Sequence, residues 1–446
     1  MKRPVSPPKN VDDHVQAQDW FNVLHLITEP RGDGGYLHWD ELRHRKPPAG
    51  LTSEKWWFGL KMRRRLASLP LPCRDRDGQS FSYLLVDPIP RQLHEIDLGA
   101  GAWINASTPV IDSDMRDQYH ARSVMEEAIT SSQLEGAVTT RRVAKEMLRT
   151  GRRARNRSEQ MILNNYEAMQ KLRDLKDVAL TPELVLEIHR WMTRDAMDDP
   201  SASGRFRRSD EHIVVQGDDG TVYHWPPSAD ELPARVQAMC EFANGGSAAE
   251  FVHPVLRAIV LHFWLAYDHP FVDGNGRTAR ALFYWCMLRH GYWLFEFLSI
   301  SEVILKARVK YYMAFLHSET DDNDLTYFVL YHLDVLQRAI ESLHAYIERK
   351  TREARDVETL MRGASGFNHR QRSLLAHALK HPGFRYTIDG HRESQGVVYE
   401  TARTDLLSLA KRGLLRRVRL GKTWFFEAEP GLESRLATGR LRRHKN

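Results

Sequence analysis

The 446-residue chain has only three cysteines, Cys73, Cys240 and Cys286. They are far apart and show no metal-ligand spacing, which excludes a disulfide framework or a cysteine-rich zinc module and fits a reducing compartment. A strong charge of either sign is also lacking: 64 Lys and Arg against 58 Asp and Glu leave a net +6, too little to make nucleic acid the main partner. No run reaches the eighteen or so uninterrupted apolar residues of a membrane span, and the polar, Pro-rich stretch from Met1 to Asp13 has no apolar signal core. The expectation is a cytoplasmic protein without a membrane partner.

What is present is a globular composition, 42% hydrophobic and 10% aromatic, in a length that suggests about three structural units. Residues 1–110 are rich in Pro, Trp, Arg and Gly with weak periodicity and read as an irregular region whose fold is not legible. From Asp112 the spacing of Met115, Tyr119, Val124, Ala128 and Ile129 is helical, and helices are predicted at 139–149, 158–175, 182–195, 229–244, 253–267, 277–290, 302–317 and 324–350. Thr181-Pro182-Glu183 is a helix start with Thr as cap and Pro at the first position. Between Ser201 and Pro227 the helical signal stops, and Ile213, Val214, Val215 and Gln216, a turn from Gly217 to Gly220, and Val222 to Trp225 read as a hairpin. The fold class is mainly α. After Gly366 three helical segments precede two short strands that turn at Gly421, the order of a winged helix-turn-helix over 366–430, with a basic tail over 431–446.

The chemistry is concentrated in His269-Pro270-Phe271-Val272-Asp273-Gly274-Asn275-Gly276-Arg277-Thr278-Ala279-Arg280, between two strongly apolar helical segments. Pro270 disfavours helix at His269, and Gly274 and Gly276 allow a tight backbone turn. The next helix then starts near Arg277, so its free N–H groups and positive dipole end face the loop and suit phosphate. Arg277 and Arg280, three apart, add guanidinium groups on one side. Asp273 is the one carboxylate placed to hold Mg²⁺ against a polyphosphate. His269 is the one group able to take a proton near neutrality, while loop amides and Asn275 stabilise developing charge. The plainer alternative is a Gly-Asn-Gly turn with solvated arginines, but a turn requires neither the phenylalanine, the aspartate nor both arginines.

These twelve residues resemble the signature of the Fic family, His-x-Phe-x-(Asp/Glu)-Gly-Asn-Gly-Arg-x-x-Arg, at every specified position. The resemblance implies a Fic-type helical core over 111–355 and AMP transfer from ATP, with Mg²⁺ as cofactor, to a Ser, Thr or Tyr hydroxyl of a protein. It assigns His269 as base, Asp273 as metal ligand, and Gly274, Asn275, Gly276 and Arg277 as phosphate cradle. It further implies that Ile213 to Gln216 form a flap that aligns the target by strand pairing. Tyr311-Tyr312 resembles a tyrosine pair near the adenine, an ordinary aromatic core pair being the alternative. Asp268 departs from the apolar residue common before the histidine, and either alters the pKa of His269 or faces solvent.

Ser131-Ser132-Gln133-Leu134-Glu135-Gly136 resembles the inhibitory motif (Ser/Thr)-x-x-x-Glu-(Gly/Asn) of autoinhibited Fic proteins, of the class with the inhibitory helix N-terminal to the core. It implies that Glu135, with Ser131 and Gly136, blocks productive ATP binding by pairing with Arg280. The competing explanation is a capping box from Ser132 to Glu135. In the C-terminal unit Arg403, Arg416, Arg417, Arg419 and Lys422 are candidates for DNA contact, protein docking or homodimer formation being the alternatives. Self-modification is one candidate reaction. Two other functions stay open: a DNA-binding regulator whose core senses nucleotide, and an enzyme that removes AMP or transfers another phosphate-containing group.

Overall fold

The computed structural model describes residues 2–8, 35–101, 113–217, 219–246, 251–363, 366–381, 383–420 and 423–437. The chain divides into two compact units, one up to Leu343 and one from His344. Both are predominantly helical.

The N-terminal segment expected to be irregular is, in its described part, built of regular elements: helix α1 (Trp39–Leu42), α2 (Ser53–Ala67), an antiparallel ribbon of β1 (Leu69–Arg74) and β2 (Ser80–Tyr83), and α3 (Pro88–Gly101). Thr52 starts α2 by accepting the Lys55 N–H at 3.2 Å. The periodicity escaped notice because tryptophans carry it: Trp39, Trp56 and Trp57 bury together with Leu37, Leu42 and Leu60. The basic run Lys61 to Arg65 lies on the same helix and is structural where it is buried. Lys61 pairs with Asp321 at 2.6 Å, and Arg64 binds the Tyr327 hydroxyl at 2.9 Å while covering the Tyr36 ring at 3.7 Å.

The centre of the first unit follows as α4 (Ser113–Leu134), α5 (Arg141–Thr150), α6 (Arg157–Asp174), α7 (Pro182–Thr193), a ribbon of β3 (Val215–Gln216) and β4 (Val222–His224), α8 (Leu232–Ala243), α9 (Pro254–Asp268), α10 (Asn275–Arg289), α11 (Ile300–Lys306), α12 (Arg308–Thr320) and α13 (Thr326–Gly363). Thr181 caps α7 as its sequence requires, accepting the Leu184 N–H at 3.2 Å with Pro182 in the first turn. The single helix expected at 302–317 is two, broken where Ala307 leaves helical geometry at φ −141°. The hairpin is shorter than expected: only Val215 and Gln216 pair, and Ile213 and Val214 precede the strand. Helices α9 and α10 pack against each other and are buried over almost their whole length. Each fully buried side chain of the Leu, Val or Phe type stabilises by about 1.5–3 kcal/mol, so the two ends of the loop between them are firmly fixed.

The second unit carries α14 (His369–Lys380), α15 (Ile388–Gln395), α16 (Tyr399–Lys411), an antiparallel ribbon of β5 (Leu415–Leu420) and β6 (Thr423–Ala428), and α17 (Leu432–Ala437). Tyr386 pairs with Phe426 at the edge of that ribbon. Leu374, Leu375, Leu406, Leu409, Leu414 and Phe426 form its core. Asn368 and Gln371 make a reciprocal capping box at the start of α14, and buried Asp405 ties α16 to Arg370 at 2.7 Å. The region expected as a basic tail begins as a helix with Leu432 and Leu436 buried; residues 438–446 and Lys422 lie outside the described residues.

Several histidines of the first unit are held neutral, chiefly by burial: the pKa is lowered to about 4 in His189, about 4 in His317, about 3 in His332 and about 2 in His38. Because the unfolded chain takes up these protons near pH 6.5 and the folded one does not, their contribution is complete above pH 6.5 and is lost as pH falls toward 4. Asp268, raised to about 6 by burial, and Asp321, also raised by burial, act in the opposite sense, but they are two groups against four. The thermal midpoint is expected to fall by at least about 5 °C between pH 7.5 and pH 5; a midpoint that holds level or rises in differential scanning calorimetry would contradict this.

Candidate active site

His269 is the residue that ends α9. It sits in the left-handed region at φ 45°, ψ 56°, a conformation costly for a residue with a Cβ and more so before proline. The surroundings compensate. Its own N–H reaches the Leu265 carbonyl at 3.0 Å. The neighbouring helix-end carbonyls are met by cationic or polar side chains: Arg207 donates to the His269 oxygen at 2.9 Å and to the Asp268 oxygen at 3.5 Å, and His224 donates from Nε2 to the Tyr267 oxygen at 2.7 Å. The Arg207 backbone N–H also holds the Pro270 carbonyl at 2.8 Å.

The imidazole is oriented by the same turn. Nδ1 lies 3.2 Å from the Ala266 carbonyl; a carbonyl only accepts, so Nδ1 carries the proton and Nε2 keeps its lone pair. Burial, with His224 beside it, lowers the pKa of His269 to about 4, which keeps the ring neutral and ready to accept a proton.

From Phe271 to Asn275 the loop is closed by one side chain. Asn275 accepts the Phe271 N–H at 2.9 Å and donates to the Phe271 carbonyl at 2.8 Å. Its amide oxygen and one of its two N–H donors are thereby committed to the Phe271 backbone. His189 supports the loop from α7: its ring stacks on Phe271 at 3.7 Å, its Nε2 donates to the Asp273 carbonyl at 2.8 Å, and its Nδ1 accepts the Gly204 N–H at 3.0 Å. Gly274 has φ +84°, and a Cβ there would lie 2.8 Å from Thr193 Cγ2, so only glycine fits.

The first N–H groups of α10 have no acceptor within the helix, and two fully buried cations lie beside them. Arg277 donates to the Met192 carbonyl at 2.7 Å and approaches Asp273 at 3.6 Å. Arg280 donates from Nε to Ser131 Oγ at 2.8 Å and from Nη2 to the Ser131 carbonyl at 3.0 Å and to Glu135 Oε1 at 2.9 Å. Burial works against the charge of Arg280, yet the Glu135 carboxylate carries its pKa above the usual guanidinium range. The same carboxylate covers Gly276: a methyl at that position would have the Glu135 carboxyl carbon 2.7 Å away. A carboxylate thus lies at the N-terminal end of α10, and it comes from the motif at Ser131 to Gly136. Ser132 lies inside α4 near its C-terminal end, so the capping-box explanation, which needs a helix start, is wrong; Gly136, at φ +92°, follows the helix end.

Asp273 offers a partly exposed carboxylate, Oδ1 accepting the Gly274 N–H at 2.6 Å and Oδ2 paired with Arg157 at 3.1 Å. Among the described residues no group of three His, Cys, Asp or Glu could hold a metal ion. A lone carboxylate does suit Mg²⁺ shared with substrate phosphates, since Mg²⁺ retains waters and needs few protein ligands.

The remaining candidates fall at different places. Tyr311 is buried, its hydroxyl 2.9 Å from His262 Nε2 and its ring against Phe315, whereas Tyr312 is exposed. Asp268 does not face solvent: it is buried and paired with Arg235 at 2.8 Å. In the second unit Arg403 pairs with Glu400 and Arg416 with buried Glu427, while Arg417 stacks on exposed Trp424 at 3.9 Å with Arg419 nearby at 5.6 Å. Sequence reasoning missed Arg207, His224, His189 and Arg157. An arginine after a Gly-Arg-Phe turn or a histidine in an apolar helix carries no local signal of what it supports.

Comparison with known proteins bears on this site. Residues 179–287 match the model of the Fic/DOC family, and the chain carries a Fic/DOC family domain there. The protein named protein adenylyltransferase Fic from Drosophila willistoni is 34% identical over 128 residues, which are 29% of this chain and 22% of that protein. Its counterpart of the same name from Drosophila virilis is 36% identical over 129 residues, 29% of this chain and 23% of that protein. The chain thus spans about a fifth of the length of these curated relatives. A crystal structure of a Fic family protein from Desulfovibrio desulfuricans G20 superposes with a TM-score of 0.53 at 19% identity, over 78% of this chain and 97% of that one; at that identity the likeness concerns fold alone.

Asn275→Ala removes both hydrogen bonds to the Phe271 backbone and leaves a buried N–H and C=O unpaired. A loss of about 2–4 kcal/mol is expected in denaturant unfolding. A change below about 0.5 kcal/mol would show that the loop closes without this side chain.

Proposed function

We propose that the chain transfers AMP from ATP to a Ser, Thr or Tyr hydroxyl of a protein, and that Glu135 holds this activity down. The observation that carries the reading is the pairing of a neutral His269, Nε2 unprotonated, with a helix start lined by buried Arg277 and Arg280. In the proposed step the target hydroxyl oxygen bonds to the α-phosphorus as the bond from that phosphorus to the bridging oxygen of pyrophosphate breaks. The hydroxyl proton passes to His269 Nε2, and pyrophosphate leaves. The N–H groups at the start of α10, with Arg277, bind and neutralise phosphate oxygens. Mg²⁺, held by Asp273 and the phosphates, supplies further charge neutralisation when bound. The half-exposed Ile213, Val214 and Val215 and the exposed Gln216 offer backbone for a target strand.

Glu135 restrains the reaction by occupying Arg280 and the space over Gly276, where a terminal phosphate would be received. Removal of AMP from a modified target uses the same groups with water as nucleophile, and the matched relatives' name favours addition. For the second unit we infer a winged helix that meets DNA phosphates through its ribbon. Arg417 and Arg419 beside Trp424 remain suited to that role, while Glu400 and Glu427 partly neutralise Arg403 and Arg416.

Incubation with ATP and Mg²⁺ followed by intact-mass spectrometry tests the main reading. Glu135→Gly is expected to gain the mass of AMP at least about tenfold faster than wild type, matching the loss of one buried charge-assisted contact, and Glu135→Gly with His269→Ala to gain none. A gain that survives loss of His269 would remove the base from the mechanism. Because the base works unprotonated and its pKa is lowered to about 4, the single-turnover rate is expected to stay level from pH 6 to pH 8, in the sense that acid, not neutrality, protonates it. A rate halved near pH 6.5 would contradict a depressed base.

A further inference from the structure

Arg157 bridges two carboxylates from different segments. Its Nη1 lies 2.7 Å from Asp198 Oδ1 and its Nη2 lies 3.1 Å from Asp273 Oδ2. Its backbone is not free to drift. Asn156 caps α6 by accepting the Glu159 N–H at 2.9 Å, and buried Glu159 takes both terminal nitrogens of Arg152, at 2.7 and 2.8 Å, and the Arg155 N–H at 2.8 Å. The first turn of α6 is therefore an anchored base from which one half-exposed guanidinium reaches the loop. On Asp273, Oδ1 is taken by the Gly274 N–H and approached by Arg277 at 3.6 Å, so Oδ2 is the more open oxygen for a further cation, and Arg157 is on it. Asp198 is mostly exposed and touches the guanidinium through its other nitrogen, so the arginine has a second anion to stay with when it leaves Asp273.

We propose that Arg157 is a placeholder cation for the metal on Asp273, released to Asp198 when a metal arrives with nucleotide. This rests on the reading of Asp273 as the metal carboxylate. Two charges that compete for one oxygen make metal binding weaker than the carboxylate alone would allow, and the competition is eased by whatever holds Arg157 elsewhere. The placeholder keeps Asp273 oriented and neutralised while no substrate is present. The phosphates, which bring their own metal affinity, tip the exchange. Asp198 is in this account a positioning residue acting through Arg157.

The two residues must then have opposite effects, which a merely structural role would not produce. In chains that all carry Glu135→Gly, Mn²⁺ is titrated in the presence of an α,β-methylene ATP analogue, and free Mn²⁺ is followed by electron paramagnetic resonance, with no turnover required. Arg157→Ala is expected to lower the Mn²⁺ concentration for half-saturation about two- to fivefold, the range of a half-exposed ion pair. Asp198→Ala is expected to raise it, because Arg157 is left with Asp273 alone, and the double variant is expected to behave as Arg157→Ala. Asp273→Asn is expected to abolish the saturable binding that exceeds that of the analogue alone. If Asp273→Asn does so while Arg157→Ala and Asp198→Ala shift binding in the same direction or not at all, the placeholder is overturned and the metal carboxylate stands. If Asp273→Asn leaves Mn²⁺ binding unchanged, the metal reading fails and takes the placeholder with it.

Discussion

A left-handed turn at His269, fixed between two helices buried on almost every face, is the constraint on which the site depends. A residue with a side chain adopts φ 45° before proline only where its surroundings leave no easier choice. Here Arg207 and His224 fill the carbonyl acceptors at the end of α9, and Asn275 stitches the far side of the loop to Phe271. The strain is offset by packing and hydrogen bonding elsewhere. What it produces is an imidazole whose Nδ1 is spent on Ala266 and whose Nε2 keeps its lone pair.

The second determinant is electrostatic. Arg277 and Arg280 are nearly inaccessible to water, and a buried cation without an anion is costly, so an anion beside them stabilises the site. In this structure Glu135 supplies it for Arg280. Under the proposed function, a phosphate would replace Glu135 by presenting its own charge in the same place, and the ion pair would then act as a restraint on nucleotide binding. Asp273 follows the same logic on a smaller scale, with Arg157 as its counter-ion. Both charged partners reach the loop from outside the matched Fic/DOC segment, Glu135 from the end of α4 and Arg157 from the start of α6.

How much of this was legible in the sequence varies with how local the cause is. The helices flanking the loop were legible because burial on all faces leaves long apolar runs, and the start of α7 because Thr181 and Pro182 act within one turn. The loop residues were legible as a chemical set, and the link from Glu135 to Arg280 through the motif that contains it. The N-terminal elements were not, since their core is made by a few tryptophans whose spacing conveys little periodicity, and Lys61 and Arg64 look like surface charges until Asp321 and Tyr327 arrive from 260 residues away. Arg207, His224 and His189 were hidden for the same reason: each supports the loop through backbone carbonyls or ring stacking, contacts that any sequence can offer. Asp268 was misjudged because its partner, Arg235, lies on another helix.

The account stands or falls on which part of ATP stays with the protein. The most direct measurement incubates the Glu135→Gly chain, and the same chain with His269→Ala, with ATP labelled either at the α- or at the γ-phosphorus, and counts label retained on denatured protein. The account predicts α-label retained only where His269 is intact and no γ-label in either chain. Retention of γ-label, or of no label at all with the base intact, would contradict it.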